Sequence, residues 1–172
     1  ACLCGVSALA LGTNAPNLLR AESLTYPAPV VGFGSFGVGK AKRAGATVFG
    51  SSQPLMPEKA IVANASAVRE WDSNGTNFGF NPALGHTAGE FGHNDFYAVP
   101  IAAAQLMGMN GAFALRGMVL LDEIRGRLAE VFSLKSYKID HVVHGAIASA
   151  ATFGAMLKAT PEQIESAIGM VV

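Results

Sequence analysis

Apolar residues recur at helical spacing through most of the second half of the chain. From Pro57 to about Glu70, Ala alternates with Ile61, Val62 and Val68, and Pro57 suits a first helical position, so a helix is predicted there. A second helix is predicted from about Tyr97 to Met107, with Pro100 in or near its first turn. Asn110 can cap a long helix from about Ala112 to Phe132. In it Phe113, Val119, Leu120, Ile124 and Leu128 form an apolar stripe, with Arg116, Glu123, Arg125 and Arg127 mostly off that stripe. The next helix, about Val142 to Leu157, is nearly all small or apolar and is expected to be buried on most faces. Thr160-Pro161-Glu162-Gln163 carries the best local signal: Thr160 as N-cap, Pro161 at N1, and Gln163 at N3 closing a capping box. A short helix should follow to Met170. Only residues 27–50 read as strand-like or loop, so the fold class is mainly α.

Composition narrows the function classes. At 172 residues the chain can form one domain with a real core. Lys and Arg number 12 and so do Asp and Glu, with no run of like charge, which gives no support to nucleic-acid or anionic-membrane binding. Charged residues make up only 14%, against about 25% in an average soluble domain. So little charge implies that another domain or subunit covers part of the outside. The chain begins without Met inside an apolar run and stops at Gly169-Met170-Val171-Val172, so it is expected to be a single-domain fragment of a longer polypeptide. No basic stretch precedes the first apolar run, so no secretory signal is expected. Phe96 to Leu115 lacks formal charge, but Pro100, Gln105 and Asn110-Gly111 make it two helices meeting at a turn and not a membrane span.

Several motifs compete for a chemical role. Gly32-Phe33-Gly34-Ser35-Phe36-Gly37 matches Gly-x-Gly-x-x-Gly, and Gly34 to Lys40 matches the first seven positions of a phosphate-binding loop. The eighth position is Ala41, where a hydroxyl would hold magnesium, and no βαβ unit surrounds the motif, so it reads as a tightly turned loop. Cys2 and Cys4 are too close for an ordinary disulfide framework and too few for a zinc site. Asn64-Ala65-Ser66 and Asn74-Gly75-Thr76 match the glycosylation sequon, a pattern common by chance. His141 and His144 can share a helix face, yet a lone His-x-x-His is ordinarily packing or capping, and no metal site is expected.

The polar cluster is harder to dismiss. Trp71-Asp72-Ser73-Asn74-Gly75-Thr76 and Gly92-His93-Asn94-Asp95 place a carboxylate, a hydroxyl and an imidazole between two helices of an otherwise apolar chain. Taken singly, Asp72 reads as a cap, Asn74-Gly75 as a turn, and His93 as a neighbour of a helix start. Their concentration in one region points to an acid/base site.

These runs also carry a family resemblance. Pro57-Glu58-Lys59-Ala60 through Asn64, Arg69 through Thr76, and Gly92 through Asp95 resemble the 2-methylcitrate dehydratase (MmgE/PrpD) family. So do Asp140-His141-Val142-Val143-His144-Gly145-Ala146, Thr160-Pro161-Glu162-Gln163 and Ala167-Ile168-Gly169, the whole covering about residues 30–172. The resemblance implies an all-helical domain, with the family's smaller α/β domain absent from this chain. It implies a hydro-lyase that dehydrates 2-methylcitrate or a similar tricarboxylate, usually as a homodimer, with no cofactor and no iron–sulfur cluster. The setting would be a bacterial cytoplasm or a mitochondrial matrix. Asp72 and Thr76 match the family's Asp-x-x-x-Thr, His93 its Gly-His-Pro histidine, and His141 the histidine before its Gly/Ala-rich helix. Arg69, Asn74 and His144 stand in the matching runs as candidate substrate contacts. Asn94 replaces the family's frequent Pro, and Asn77 to Phe91 is longer than the usual link.

Removing water from a tricarboxylate needs a base for the proton α to a carboxylate and an acid for the leaving hydroxyl. Imidazoles suit both tasks, which makes His93 and His141 the candidate pair. Asp72 could orient one imidazole, and Thr76 could hold a carboxylate or the leaving oxygen. A decarboxylase or epimerase of the same family is the nearest rival, and a non-catalytic helical assembly module is the rival from another class.

Overall fold

The computed structural model describes residues 45–70, 78–86 and 92–172, with His93 described through its backbone. Five α-helices run through these residues: α1 Pro57–Glu70, α2 Ala98–Leu106, α3 Gly111–Val131, α4 Val142–Met156 and α5 Pro161–Val171. Isolated antiparallel bridges join Ala46 to Leu55 and Asn81 to His86, and the described residues contain no strand. The mainly α expectation therefore holds. Among the described residues, no helix is long and apolar enough to cross a membrane.

Local chemistry sets the helix boundaries. The Asn110 side chain accepts from the Phe113 N–H at 3.1 Å and opens α3 one residue earlier than the sequence predicts. Thr160 accepts from the Gln163 N–H at 3.3 Å while the Gln163 side chain accepts from the Thr160 N–H at 2.9 Å, the reciprocal capping box expected there. Pro100 stands third in α2, where its missing N–H costs no intrahelical bond.

The helices pack in sequence order, α1 on α2, α2 on α3 and α4, α3 on α4, and α4 on α5. Leu121 of α3 is fully buried against Val99 of α2 and Ala148 of α4 at the centre of the bundle. Burying such a side chain stabilises by about 1.5–3 kcal/mol. Val68, Tyr97, Ile101 and Met118 form a neighbouring cluster that ties α1 to α2 and α3. The stretch before α1 is held by amides. Buried Asn64 accepts from the Phe49 N–H at 2.9 Å and donates to the Thr47 carbonyl at 3.0 Å, so its sequon asparagine is committed to the core. Gln105 of α2 accepts from the Thr47 N–H and donates to the Thr47 hydroxyl, both at 2.9 Å.

The apolar stripe expected on α3 is rotated from its predicted position. Val119 is 69% exposed and Leu120 37%, while the inner face consists of Ala114, Gly117, Met118, Leu121, Arg125 and Ala129. Small residues win the inner face because they let the helix axes approach closely. Arg125, expected off the apolar stripe, is completely buried.

The glycine-rich run 32–40, Cys2, Cys4, and the Asp72, Asn74 and Thr76 positions lie outside the described residues.

Candidate active site

The site forms where the last turn of α1, the turn before α2 and the start of α4 converge. Arg69 stands in the last turn of α1, half exposed. Gly92 then adopts a left-handed conformation, φ 76° and ψ 34°, and opens a 3-10 turn over His93–Phe96. This reversal buries Asp95, whose residue exposure is 7%, and sets its Oδ2 3.5 Å from Arg69 Nη1. A carboxylate taken out of water needs a cation or hydrogen-bond donors. Arg69 supplies the charge, from a residue far away in sequence.

His141 enters from the start of α4. Asp140 just before it accepts the Val142 N–H at 3.0 Å through Oδ1, capping the helix in place of His141, which makes no side-chain cap. The same Oδ1 lies 3.2 Å from His141 Nδ1. The imidazole side chain is 14% exposed, and its Nε2 is buried with no hydrogen-bond partner among the described residues. The Asp140 carboxylate thus stands within ion-pair distance of Nδ1, while Nε2 turns toward Gly92 and Asp95.

Gly92 shows how close these groups are. A side-chain carbon built on it would lie 2.5 Å from Asp95 Oδ2 and 3.1 Å from His141 Nε2. Both atoms therefore border the space above the Gly92 α-carbon. Any other residue there would meet a carboxylate oxygen, an imidazole nitrogen and an unfavourable positive φ together. Beside this point a cavity of about 260 Å³ is lined by Ala65, Ser66, Arg69, Asp95, Phe96 and Val142. The grooves along α4, of about 370 and 430 Å³, are larger but lined mostly by apolar side chains. The cavity beside Gly92 is the one bordered by the Arg69–Asp95 pair.

Phe96 closes the floor. Its ring lies over Gly145 of α4, where a β-carbon would overlap the ring atoms. Arg125 also stands over this ring, with the guanidinium carbon 5.1 Å from the ring centroid. Tyr97 follows and donates its hydroxyl to Asp122 Oδ2 at 2.5 Å.

Of the residues singled out in the sequence, Arg69 lines the cavity, and His141 Nε2 lies beside Gly92 next to the Asp95 that pairs with Arg69. His93 heads the turn that carries Asp95. His144, three residues after His141, is 3% exposed on the inner face of α4. Three contributors were not assigned roles from sequence: Asp95 as the partner of Arg69, Asp140 as the partner of His141, and Gly92 as the residue that makes room for both. A signal existed for two of them. Gly before a polar turn marks a left-handed start, and Asp directly before a helix marks a cap. Nothing local marks Asp95 as buried.

No solved structure matches the chain significantly. The sequence profile of the MmgE/PrpD N-terminal domain matches residues 22–172, which includes every described element and extends the resemblance toward the N-terminus. The chain belongs to the MmgE/PrpD family, as its N-terminal domain.

Proposed function

We propose that this domain supplies the acid/base half of a hydro-lyase that dehydrates 2-methylcitrate, or a close tricarboxylate, to 2-methyl-cis-aconitate. The observation that carries the reading is His141: its Nδ1 is 3.2 Å from Asp140 Oδ1 and its Nε2 is buried beside the Arg69–Asp95 pair. An imidazole fixed in this way is built to accept a proton at Nε2.

In the proposed reaction His141 Nε2 takes the proton α to a carboxylate of the substrate. The electron pair of that C–H bond forms the new double bond, and the C–O bond to the hydroxyl on the adjacent carbon breaks. His93 protonates the departing oxygen, so water leaves. Arg69 binds a substrate carboxylate through charge-assisted hydrogen bonds, with Asn74 and His144 as further contacts. Asp72 orients the second imidazole, and Thr76 holds a carboxylate or the leaving oxygen.

The test replaces His141 and His93 singly with Ala in the intact protein and follows turnover of 2-methylcitrate. Each change should lower the rate by at least ~10²-fold. Near-wild-type turnover in both variants overturns the assignment. Product analysis by NMR separates the dehydratase from its family rivals. Loss of carbon dioxide would mean a decarboxylase, and inversion at a stereocentre without loss of water an epimerase.

A further inference from the structure

Arg125 has no part in the reaction just described, yet it is the largest fully buried side chain among the described residues. It projects from the inner face of α3, where the other buried positions are Ala114, Gly117, Met118, Leu121 and Ala129. Two aromatic rings face its guanidinium, Phe96 at 5.1 Å and Phe78 at 5.3 Å from the ring centroids. Such stacking uses the planar, weakly hydrated character of a guanidinium, which a lysine ammonium lacks.

The two rings come from different parts of the chain. Phe96 is the last residue of the Gly92–Phe96 turn and directly follows Asp95. Phe78 is two residues beyond Thr76 in the chain. Further contacts fix Phe78 against the same helix: Gly126 is close enough that a β-carbon on it would lie 3.4 Å from the Phe78 ring. At Gly79 a β-carbon would come 2.7 Å from the Ala129 carbonyl oxygen. Phe96 also lies on Gly145, one turn beyond His141. A chain of contacts thus runs from Phe78 through Arg125 and Phe96 to the helix that His141 opens.

We propose that Arg125 is a positioning residue of the candidate site: it clamps Phe78 and the turn bearing Asp95 to one helix, and so fixes Asp95 relative to Arg69 and His141. The role at the site rests on the proposed function, whereas the clamp itself does not. Arg125 acts through Phe96 and Phe78 and is not required to touch substrate.

The turn has its own reporters, because the Asp95 N–H donates to the Gly92 carbonyl and the Tyr97 N–H to the Asn94 carbonyl, each at 3.2 Å. Hydrogen exchange of these amides should be measured in the intact protein and in its Arg125→Lys, Arg125→Met and Phe96→Leu variants. The clamp predicts exchange faster by ~10-fold or more at Asp95 and Tyr97 in each folded variant, with the amides in the middle of α4 unchanged. Phe96→Leu keeps apolar bulk, so it provides the test if both Arg125 variants fail to fold. Unchanged exchange at Asp95 and Tyr97 overturns the proposal. A uniform rise across α3 and α4 also overturns it, because Arg125 would then be ordinary core. On 2-methylcitrate, Arg125→Lys should lower kcat at least ~10-fold more than it raises KM, since misplaced groups act on the reacting geometry. A protein that dehydrates neither 2-methylcitrate nor a close tricarboxylate refutes the hydro-lyase reading and leaves the exchange test of the clamp intact.

Discussion

The turn that carries Asp95 and the turn that opens α5 both start helices, and they are built in opposite ways. At Thr160 both bonds of the capping box join residues three apart, and Thr160 and Gln163 stay exposed. At Gly92–Phe96 no side-chain cap forms. The surroundings of the turn come from elsewhere: Arg69 from α1, Arg125 from α3, and His141 and Gly145 from α4. The first turn is a local solution that water can complete. The second buries a carboxylate and an arginine, which is stable only when distant groups satisfy them. Buried polar groups in a chain with so little charge set this corner apart from the rest of the bundle, and it is here that the proposed site lies.

The comparison can be broken most decisively at the site. His141→Ala should cost at least ~10²-fold in turnover with the circular dichroism of the helices unchanged, since the imidazole supports chemistry and not the fold. A loss of helix content of the same order would show that the corner is structural.

Next in size is Gly92→Ala. The new methyl would press on Asp95 Oδ2 and His141 Nε2 and the residue would keep φ near 76°, so urea unfolding should show destabilisation of about 1–3 kcal/mol. Stability equal to wild type would mean that the turn is less tightly constrained than its geometry requires.

A smaller effect belongs to the other turn. Thr160→Ala should cost about 1 kcal/mol, and Thr160→Ser should recover most of it, because only the accepting oxygen is needed. Turnover should be unchanged in both. If activity falls with Thr160→Ala, the two turns are coupled and the contrast between them fails.

The smallest effect is electrostatic. The Thr160 hydroxyl, and after it the backbone N–H of Glu162 itself, hold the exposed Glu162 carboxyl below its ordinary value. A carboxylate whose folded value is lowered adds stability above its unfolded value and loses it as pH falls through the folded one. The melting temperature of Glu162→Gln should therefore fall below wild type at neutral pH and converge with it in acid. Thr160→Ala should move the Glu162 titration, followed by NMR, back upward.

Much of this protein was legible in its sequence. Five helices, the Asn110 cap and the Thr160 capping box follow from spacing and from side chains that bond within one turn. Such interactions need no knowledge of the rest of the chain. The family likeness placed Arg69 and His141 among the candidate site residues, and the structure brings both beside Asp95. The inner face of α3 was not legible, because Val119 and Leu120 look like core by hydrophobicity and yet lie outward. Close approach favours Ala and Gly, so packing overrode the apolar stripe.

The sequence by itself determined where helices begin and end, and that polar groups concentrate between α1 and α2 and again before α4. Only the tertiary structure decided that Asp95 is buried beside Arg69, that Asp140 faces the His141 ring, and that Arg125 is enclosed by Phe78 and Phe96. The reason is the range of the forces. Capping and propensity act over a few residues, whereas desolvation of a charge depends on everything that surrounds it. What surrounds Asp95 and Arg125 is assembled from segments that meet only when the bundle closes.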